Sequence, residues 1–164
     1  MTFPVRKRLD HKPHTMARFG AVYFITICCQ ERHDNQLCRD GVANVLLDAA
    51  RYYHDAGRWS LNLFLLMPDH LHALVGLPGE VELATLIGDY KRYIASRTGV
   101  KWQRNFFDHR LRKDESIREK GDYILMNPVR AGLAEKPEQW GYVIFGDVFG
   151  TRKNETPQDV NSDR

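Results

Sequence analysis

Two histidines separated by a single leucine, His70 and His72, have the spacing that most directly suggests chemistry in this sequence. They follow a Pro-Asp corner that lies between two apolar runs. In a β-strand, side chains alternate between the two faces, so both imidazoles would lie on one face and Leu71 on the other. Two imidazoles on one face of a rigid strand provide half of a metal site. The sequence therefore predicts a metal site that another element must complete.

A tyrosine and an asparagine further along the chain can supply the missing parts. Tyr123 and Asn127 are four residues apart, so on a helix they share one face. A tyrosine is a weak nucleophile because its pKa is near 10, but a nearby divalent cation can polarise the electrophile and favour the phenolate. The amide oxygen of Asn127 can be a third ligand and leaves coordination positions open for substrate. Taken singly, each residue also fits a structural role: a packed tyrosine, a turn asparagine before Pro128, or a hydrogen-bonded histidine pair.

A basic segment with interleaved aromatic residues lies between these two motifs. Residues 88–113 contain eight Lys or Arg against two Asp, although the formal net charge of the whole chain is only +3. Clustered positive charge with aromatic rings is typical of surfaces that bind phosphates and stack bases. A solvated helix face followed by a loop explains the same composition equally well.

The composition indicates one globular domain. A chain of 164 residues with 43% apolar residues can bury one core, and we predict a single domain over 1–150 with a basic arm over 1–18 and a disordered tail over 151–164. No apolar run is long enough to span a membrane, and the N-terminus lacks the apolar region of a secretory signal, so we expect a cytoplasmic protein. The three cysteines, Cys28, Cys29 and Cys38, are too few for a disulfide framework, and the first two are interpreted as strand residues.

The periodicity of apolar residues predicts an α+β fold. The predicted elements, in chain order, are a strand over 21–29, a helix over 42–56, strands over 61–67 and 71–77, a helix from 83 that ends before 99, a short strand over 105–107, and a helix from about 116 to 127. Ser116 and Glu119 have the spacing of a capping box at the start of the last helix. This order favours a ferredoxin-like antiparallel sheet with helices packed on it.

Four motifs together resemble a known family. In order along the chain they are Met67-Pro68-Asp69-His70-Leu71-His72, Asp89-Tyr90-Lys91-Arg92-Tyr93, Trp102-Gln103 with Phe106 and Asp108-His109, and Tyr123-Ile124 with Asn127-Pro128-Val129-Arg130-Ala131-Gly132-Leu133. The pattern covers roughly residues 18–140 and resembles the REP-associated tyrosine transposases. These are single-tyrosine HUH endonucleases related to the single-strand transposases of insertion sequences.

The resemblance implies a role for each chemical residue. His70 and His72 would be metal ligands, Asn127 the third ligand and Tyr123 the nucleophile, on the HUH endonuclease fold with Mg²⁺ or Mn²⁺. The family cleaves single-stranded DNA beside the hairpin of a repetitive extragenic palindrome, which leaves a 5′-phosphotyrosine and a free 3′-hydroxyl that can rejoin another end. Imidazoles suit Mn²⁺ better than Mg²⁺, so we expect Mn²⁺ to support activity at least as well.

The resemblance also implies a DNA-binding surface and a nucleoid-associated, bacterial setting. The predicted DNA contacts are Arg6, Lys7, Arg8, Arg18, Lys91, Arg92, Arg104, His109 and Arg110, although His109 fits a structural role equally well. The expected partner is single-stranded DNA with palindromic hairpins, with the protein a monomer or a homodimer and no membrane involved. Two alternatives remain: a module that binds structured single strands without cleaving them, and a metal hydrolase that uses water as its nucleophile.

Overall fold

A computed structural model of the chain describes residues 20–150, so the predicted basic arm and tail lie outside the described residues. The elements are β1 (Ala21–Cys28), α1 (Asp40–Asp55), β2 (Ser60–Leu66), β3 (His70–Leu77), α2 (Leu83–Thr98), β4 (Phe107–Arg110), α3 (Ile117–Leu125), α4 (Asn127–Arg130), a 3-10 turn (Pro137–Gln139), β5 (Val143–Phe145) and α5 (Asp147–Gly150). The strands form one sheet in the order β4-β1-β3-β2-β5, and all neighbouring strands are antiparallel. The first four strands have the ferredoxin-like order, so the predicted α+β architecture is confirmed.

One face of the sheet packs against α1 and α2. Phe64 in β2 lies opposite Ala73 in β3, and its ring contacts Tyr90 of α2 at a centroid distance of 6.1 Å. Tyr90 also packs against Trp59 at 5.6 Å and against Tyr53 of α1 at 5.5 Å. The Tyr90 hydroxyl donates to a backbone carbonyl of α1 at 2.8 Å, which satisfies its polar atom inside the core. Burial of these aromatic rings supplies much of the hydrophobic stabilisation of this layer.

The helix that carries Tyr123 packs on the other side of β2 and β3. Helix α3 contacts both strands, and α5 contacts α3 and β2. The buried ring of Phe149 in α5 sits directly on Gly121 of α3, where a Cβ atom would clash with it. The sheet is therefore enclosed between α1 and α2 on one face and the α3–α5 region on part of the other.

The elements differ from the sequence predictions in three respects. The predicted helix to residue 127 divides into α3 and α4, because Pro128 lacks a backbone N–H and begins a new helical turn. The short strand lies at 107–110 rather than 105–107, where it pairs with residues 23–26 of β1. The strand β5 and the helix α5 were not predicted, since three- and four-residue elements carry too little periodicity to detect. No helix in residues 20–150 combines the length and the apolar character that a membrane crossing requires.

Candidate active site

The β1–β3 register places the two histidines side by side on one face. His70 lies opposite Cys28 and His72 opposite Thr26, and Leu71 is fully buried on the other face. The imidazole centroids are 4.8 Å apart, with the rings nearly perpendicular at 81°. The alternation predicted from the sequence therefore does bring both imidazoles together.

Each imidazole is held through its Nδ1 atom. His70 Nδ1 lies 2.7 Å from Asp69 Oδ1, and His72 Nδ1 lies 2.9 Å from Thr26 Oγ1. A carboxylate can only accept, so Nδ1–H of His70 donates to it; the Thr26 hydroxyl can donate or accept, and it accepts when His72 has the same tautomer as His70. Both Nε2 atoms then keep their lone pairs, which is the arrangement found behind metal-binding histidines.

Asp69 is the centre of the hydrogen-bond network behind His70. Its Oδ2 accepts from Arg32 Nε at 2.8 Å and from the backbone N–H of His33 at 2.8 Å. His33 adopts a left-handed backbone, with φ of 68°, that directs this N–H to the carboxylate. Burial alone would raise the pKa of Asp69, but the hydrogen bonds from His33, His70 and Arg32 lower it well below its usual range. Asp69 therefore stays ionised and fixes the ring of His70.

His72 is held in its neutral form. Only 8% of the residue is exposed, and this burial lowers its pKa to about 3, with further lowering from the positive charges of His70, Arg130 and Arg32. A neutral imidazole is the form that binds a metal ion. The effect of Arg130 on the pKa of His72 shows that its guanidinium, at the end of α4, is within electrostatic range of that imidazole.

Arg130 also contacts the predicted nucleophile. Its guanidinium lies over the ring of Tyr123 at 4.4 Å from the centroid, and Nη2 donates to the Tyr123 carbonyl at 2.7 Å. Tyr123 is 57% exposed, so its hydroxyl is accessible to a large substrate. Arg130 therefore contacts the tyrosine of α3 and lies within electrostatic range of His72 in β3, about fifty residues before that tyrosine in the chain.

Asn127 is oriented by the helix before it. Its Nδ2 donates to the Ile124 carbonyl at 3.1 Å, which leaves Oδ1 as the atom that can serve as a ligand. Residues 20–150 contain no group of three or more His, Cys, Asp or Glu side chains suited to a metal ion. A metal at the histidine pair would therefore need oxygen from an amide, from water or from substrate, as a catalytic site requires.

Comparison with known proteins agrees with the family resemblance of the four sequence motifs. No protein-family model matches the chain. A REP-associated tyrosine transposase of Escherichia coli strain K12 is 24% identical over 135 residues, with 77% of each chain covered. A Haemophilus influenzae protein that carries the same family name is 27% identical over 143 residues, with 77% of this chain and 80% of the relative covered.

The chain is similar in sequence to REP-associated tyrosine transposases. A solved structure of such a transposase bound to a REP hairpin shares the fold, with a TM-score of 0.68 and 23% identity over 82% of this chain and 81% of that one.

The basic residues predicted from the likeness to REP-associated tyrosine transposases occupy different settings. Arg6, Lys7, Arg8 and Arg18 lie outside the described residues. Lys91 Nζ donates to the carbonyls of Gln103 and Arg104, at 2.7 and 3.2 Å, and so ties α2 to the following loop. Arg92 pairs with Asp89, whereas Arg104 and Arg110 are exposed.

His109 is hydrogen-bonded on its Nε2 to Glu115, at 2.8 Å from Oε2. This hydrogen bond lowers the pKa of Glu115 to about 2, and burial partly opposes the shift. The contact anchors β4 to the segment before α3 and is compatible with a structural role for His109.

Sequence reasoning missed three residues that complete the site. Asp69 was recognised only as part of a corner, although its position directly before His70 was a usable signal. Arg130 belongs to the fourth sequence motif, but no role was predicted for it; its position three residues after Asn127, on the same short helix, was a usable signal. Arg32 lies in an irregular loop, and no periodic signal in the sequence connects it to Asp69.

Proposed function

We propose that this chain is a metal-dependent endonuclease and strand transferase of single-stranded DNA. It would act beside palindromic hairpins through a 5′-phosphotyrosine intermediate. The observation that carries the proposal is the position of Arg130, whose guanidinium lies over the ring of the exposed Tyr123 and within electrostatic range of His72.

The residues fit a divalent cation. The Nε2 atoms of His70 and His72 and Oδ1 of Asn127 would hold Mn²⁺ or Mg²⁺, with two nitrogen donors favouring Mn²⁺. When bound, the ion would supply Lewis-acid polarisation of a phosphate oxygen. Asp69 and Thr26 would keep the two imidazole rings in the tautomer that binds it.

The tyrosine would perform the covalent step. Tyr123 Oη attacks the scissile phosphorus, the new P–O bond forms, the P–O3′ bond breaks, and the 3′-oxygen leaves as a hydroxyl after it takes a proton. One phosphodiester replaces another, so the free 3′-hydroxyl of a second strand can reverse the step without an external energy source. The guanidinium of Arg130 beside the Tyr123 ring adds positive charge where negative charge develops on the phosphate.

The substrate is proposed from the relatives and from charge. The solved structural relative is bound to a REP hairpin. In this chain, Arg104 and Arg110 are exposed basic residues of the segment that joins α2 to α3. Exposed Arg side chains of this kind bind the phosphates of a DNA backbone.

The experiment detects the proposed covalent bond between Tyr123 and the DNA. A hairpin oligonucleotide from the palindromes near the gene of this chain carries a 3′ label, because the fragment downstream of the cut is the one that stays on the tyrosine. It is incubated with protein and Mn²⁺ and run on a denaturing protein gel. We expect the label to move with the wild-type chain and not with Tyr123→Phe, while Tyr52→Phe, a change at another exposed helical tyrosine, behaves as wild type.

Two other outcomes would contradict the proposal. Binding without an adduct, over several flanking sequences and with both metals, would favour a module that binds structured single strands. Cleavage that survives Tyr123→Phe would favour water as the nucleophile.

A further inference from the structure

Aromatic rings continue from the histidine pair to the edge of the sheet. The Phe24 ring of β1 stacks on His72, with centroids 5.6 Å apart and an interplanar angle of 21°. Phe107 of β4 meets Phe24 edge to face, at 6.1 Å and 69°. We call the pair Phe24 and Phe107 the aromatic step.

The register puts the aromatic step on the same face as the imidazoles. Phe107 lies directly opposite Thr26, whose other neighbour across the sheet is His72. Phe24 is two residues from Thr26 and shares its face. The successive centroid distances along the row His70, His72, Phe24 and Phe107 are 4.8, 5.6 and 6.1 Å, so the rings form one continuous strip.

The outer end of the strip is accessible. Phe107 is 56% exposed and Phe24 is partly buried, because α3 packs over β2 and β3 rather than over β1 and β4. A single exposed Phe is ordinary on a protein surface. This one differs because its ring continues, through Phe24, to an imidazole of the candidate metal site.

We propose that the aromatic step is a stacking site for a base of single-stranded DNA next to the scissile phosphate, an inference that rests on the proposed function. A phosphate held between the histidines and Tyr123 leaves its neighbouring nucleotide only a short backbone step away. Any base has a π-face, so stacking on Phe holds the strand without reading its sequence. Phe107 provides the accessible ring, and Phe24 fixes its position.

Charge near the strip suits a nucleic acid strand. The loop before β4 is fixed to the end of β1 by a hydrogen bond from Gln103 N–H to the Cys28 carbonyl at 2.9 Å. This places the exposed Arg104 near the His70 end of the strip, because Cys28 lies opposite His70. A DNA strand that runs along the strip would therefore place its bases against the rings and a phosphate near the guanidinium group of Arg104.

The test measures binding and position separately from cleavage. Fluorescence anisotropy with the labelled hairpin oligonucleotide, in Mn²⁺, compares wild type with Phe107→Ala, Phe107→Leu and Phe107→Trp. We expect the Ala and Leu variants to bind about 5- to 150-fold more weakly, and the Trp variant to bind at least as well as wild type. Leu133→Ala, a change at another exposed apolar residue, is the matched control and should bind as wild type.

An abasic scan assigns the base. A single abasic nucleotide is moved along the unpaired flank, and wild type is compared with Phe107→Ala at each position. We expect the difference between the two proteins to vanish at the nucleotide adjoining the cleaved phosphate and to persist elsewhere.

The outcomes separate this inference from the proposed function. Equal binding by wild type and the Ala and Leu variants, or a difference that no abasic position removes, would overturn the stacking site even where the wild type forms the adduct. A wild type that binds but forms no adduct would overturn the proposed cleavage, and the anisotropy and abasic data would still decide whether Phe107 stacks a base. A wild type that binds no single strand would overturn both.

Discussion

Replacement of Asp69 by asparagine should switch the tautomer of a metal ligand while leaving the fold in place. The change exchanges one carboxylate oxygen for an NH₂ group of nearly the same size. The remaining oxygen must face Arg32 and the N–H of His33, since both are donors. The NH₂ group then faces His70 Nδ1, which must accept, so the ring proton moves to Nε2. The lone pair that would bind a metal is lost from Nε2.

The size of the effect follows from the contacts. Loss of a partner that orients a metal-bound imidazole typically costs 10- to 100-fold in metal affinity, or about 1.4 to 2.8 kcal/mol. The cost to folding should be smaller, about 1 kcal/mol, because two donors keep an oxygen acceptor and Arg32 is partly exposed to solvent.

Mn²⁺ titration by calorimetry at neutral pH, without DNA, is the assay, and urea unfolding of the metal-free protein checks the fold. Asp34→Asn removes an exposed carboxylate from the same loop and should bind Mn²⁺ as wild type does. His70→Ala gives the Mn²⁺ affinity of a site that lacks the His70 imidazole. If Asp69→Asn binds Mn²⁺ as tightly as wild type while His70→Ala does not, the tautomer argument is refuted.

Two further predictions concern stability. The low pKa of Glu115, held down by its hydrogen bond with His109, means that Glu115 stabilises the fold above the ordinary carboxyl pKa and that this contribution is lost as pH falls from about 4.5 toward 2. The melting temperature of Glu115→Gln should therefore lie below that of wild type near pH 7, and the gap should close in thermal unfolding at acid pH; a gap that stays constant would contradict the argument. Gly146→Ala should lower the free energy of unfolding in urea by about 1 to 3 kcal/mol, because a Cβ there would clash with the Leu61 carbonyl oxygen. Gly41→Ala, in open space on α1, should instead stabilise the protein by up to about 1 kcal/mol. Equal effects of the two substitutions would show that the close approach of Gly146 to β2 does not determine the stability change.

The sequence predicted those features that depend on local periodicity. The alternation around Leu71 placed both imidazoles on one face, and the hairpin of β2 and β3 was predicted within about one residue of its observed bounds. Tyr123 and Asn127 lie close together, with Asn127 Nδ2 3.5 Å from the Tyr123 carbonyl oxygen, although they belong to the separate helices α3 and α4.

Features that depend on long-range register were not predictable in the same way. The position of Arg130, in contact with Tyr123 and within electrostatic range of His72, requires α3 to pack on β3. The stacking of Phe24 on His72 requires the β1–β3 register. Lys91 was predicted as a DNA contact from the family resemblance, which could not reveal the two loop carbonyls to which its amine donates.

The lengths of the strands have a consequence for how the molecule avoids association with other chains. The two eight-residue strands, β1 and β3, lie in the interior of the sheet, and the outermost strands β4 and β5 have only four and three residues. The unpaired backbone groups of a long outer strand are a template for edge-to-edge aggregation. Here each outer strand offers very few such groups, and β4 also carries the exposed charged residues Asp108 and Arg110. Strands β1 and β3, which hold the candidate site, are thus paired on both sides within the sheet. The face lined by His70, His72, Phe24 and Phe107 can therefore stay open without a long unpaired strand at its edge.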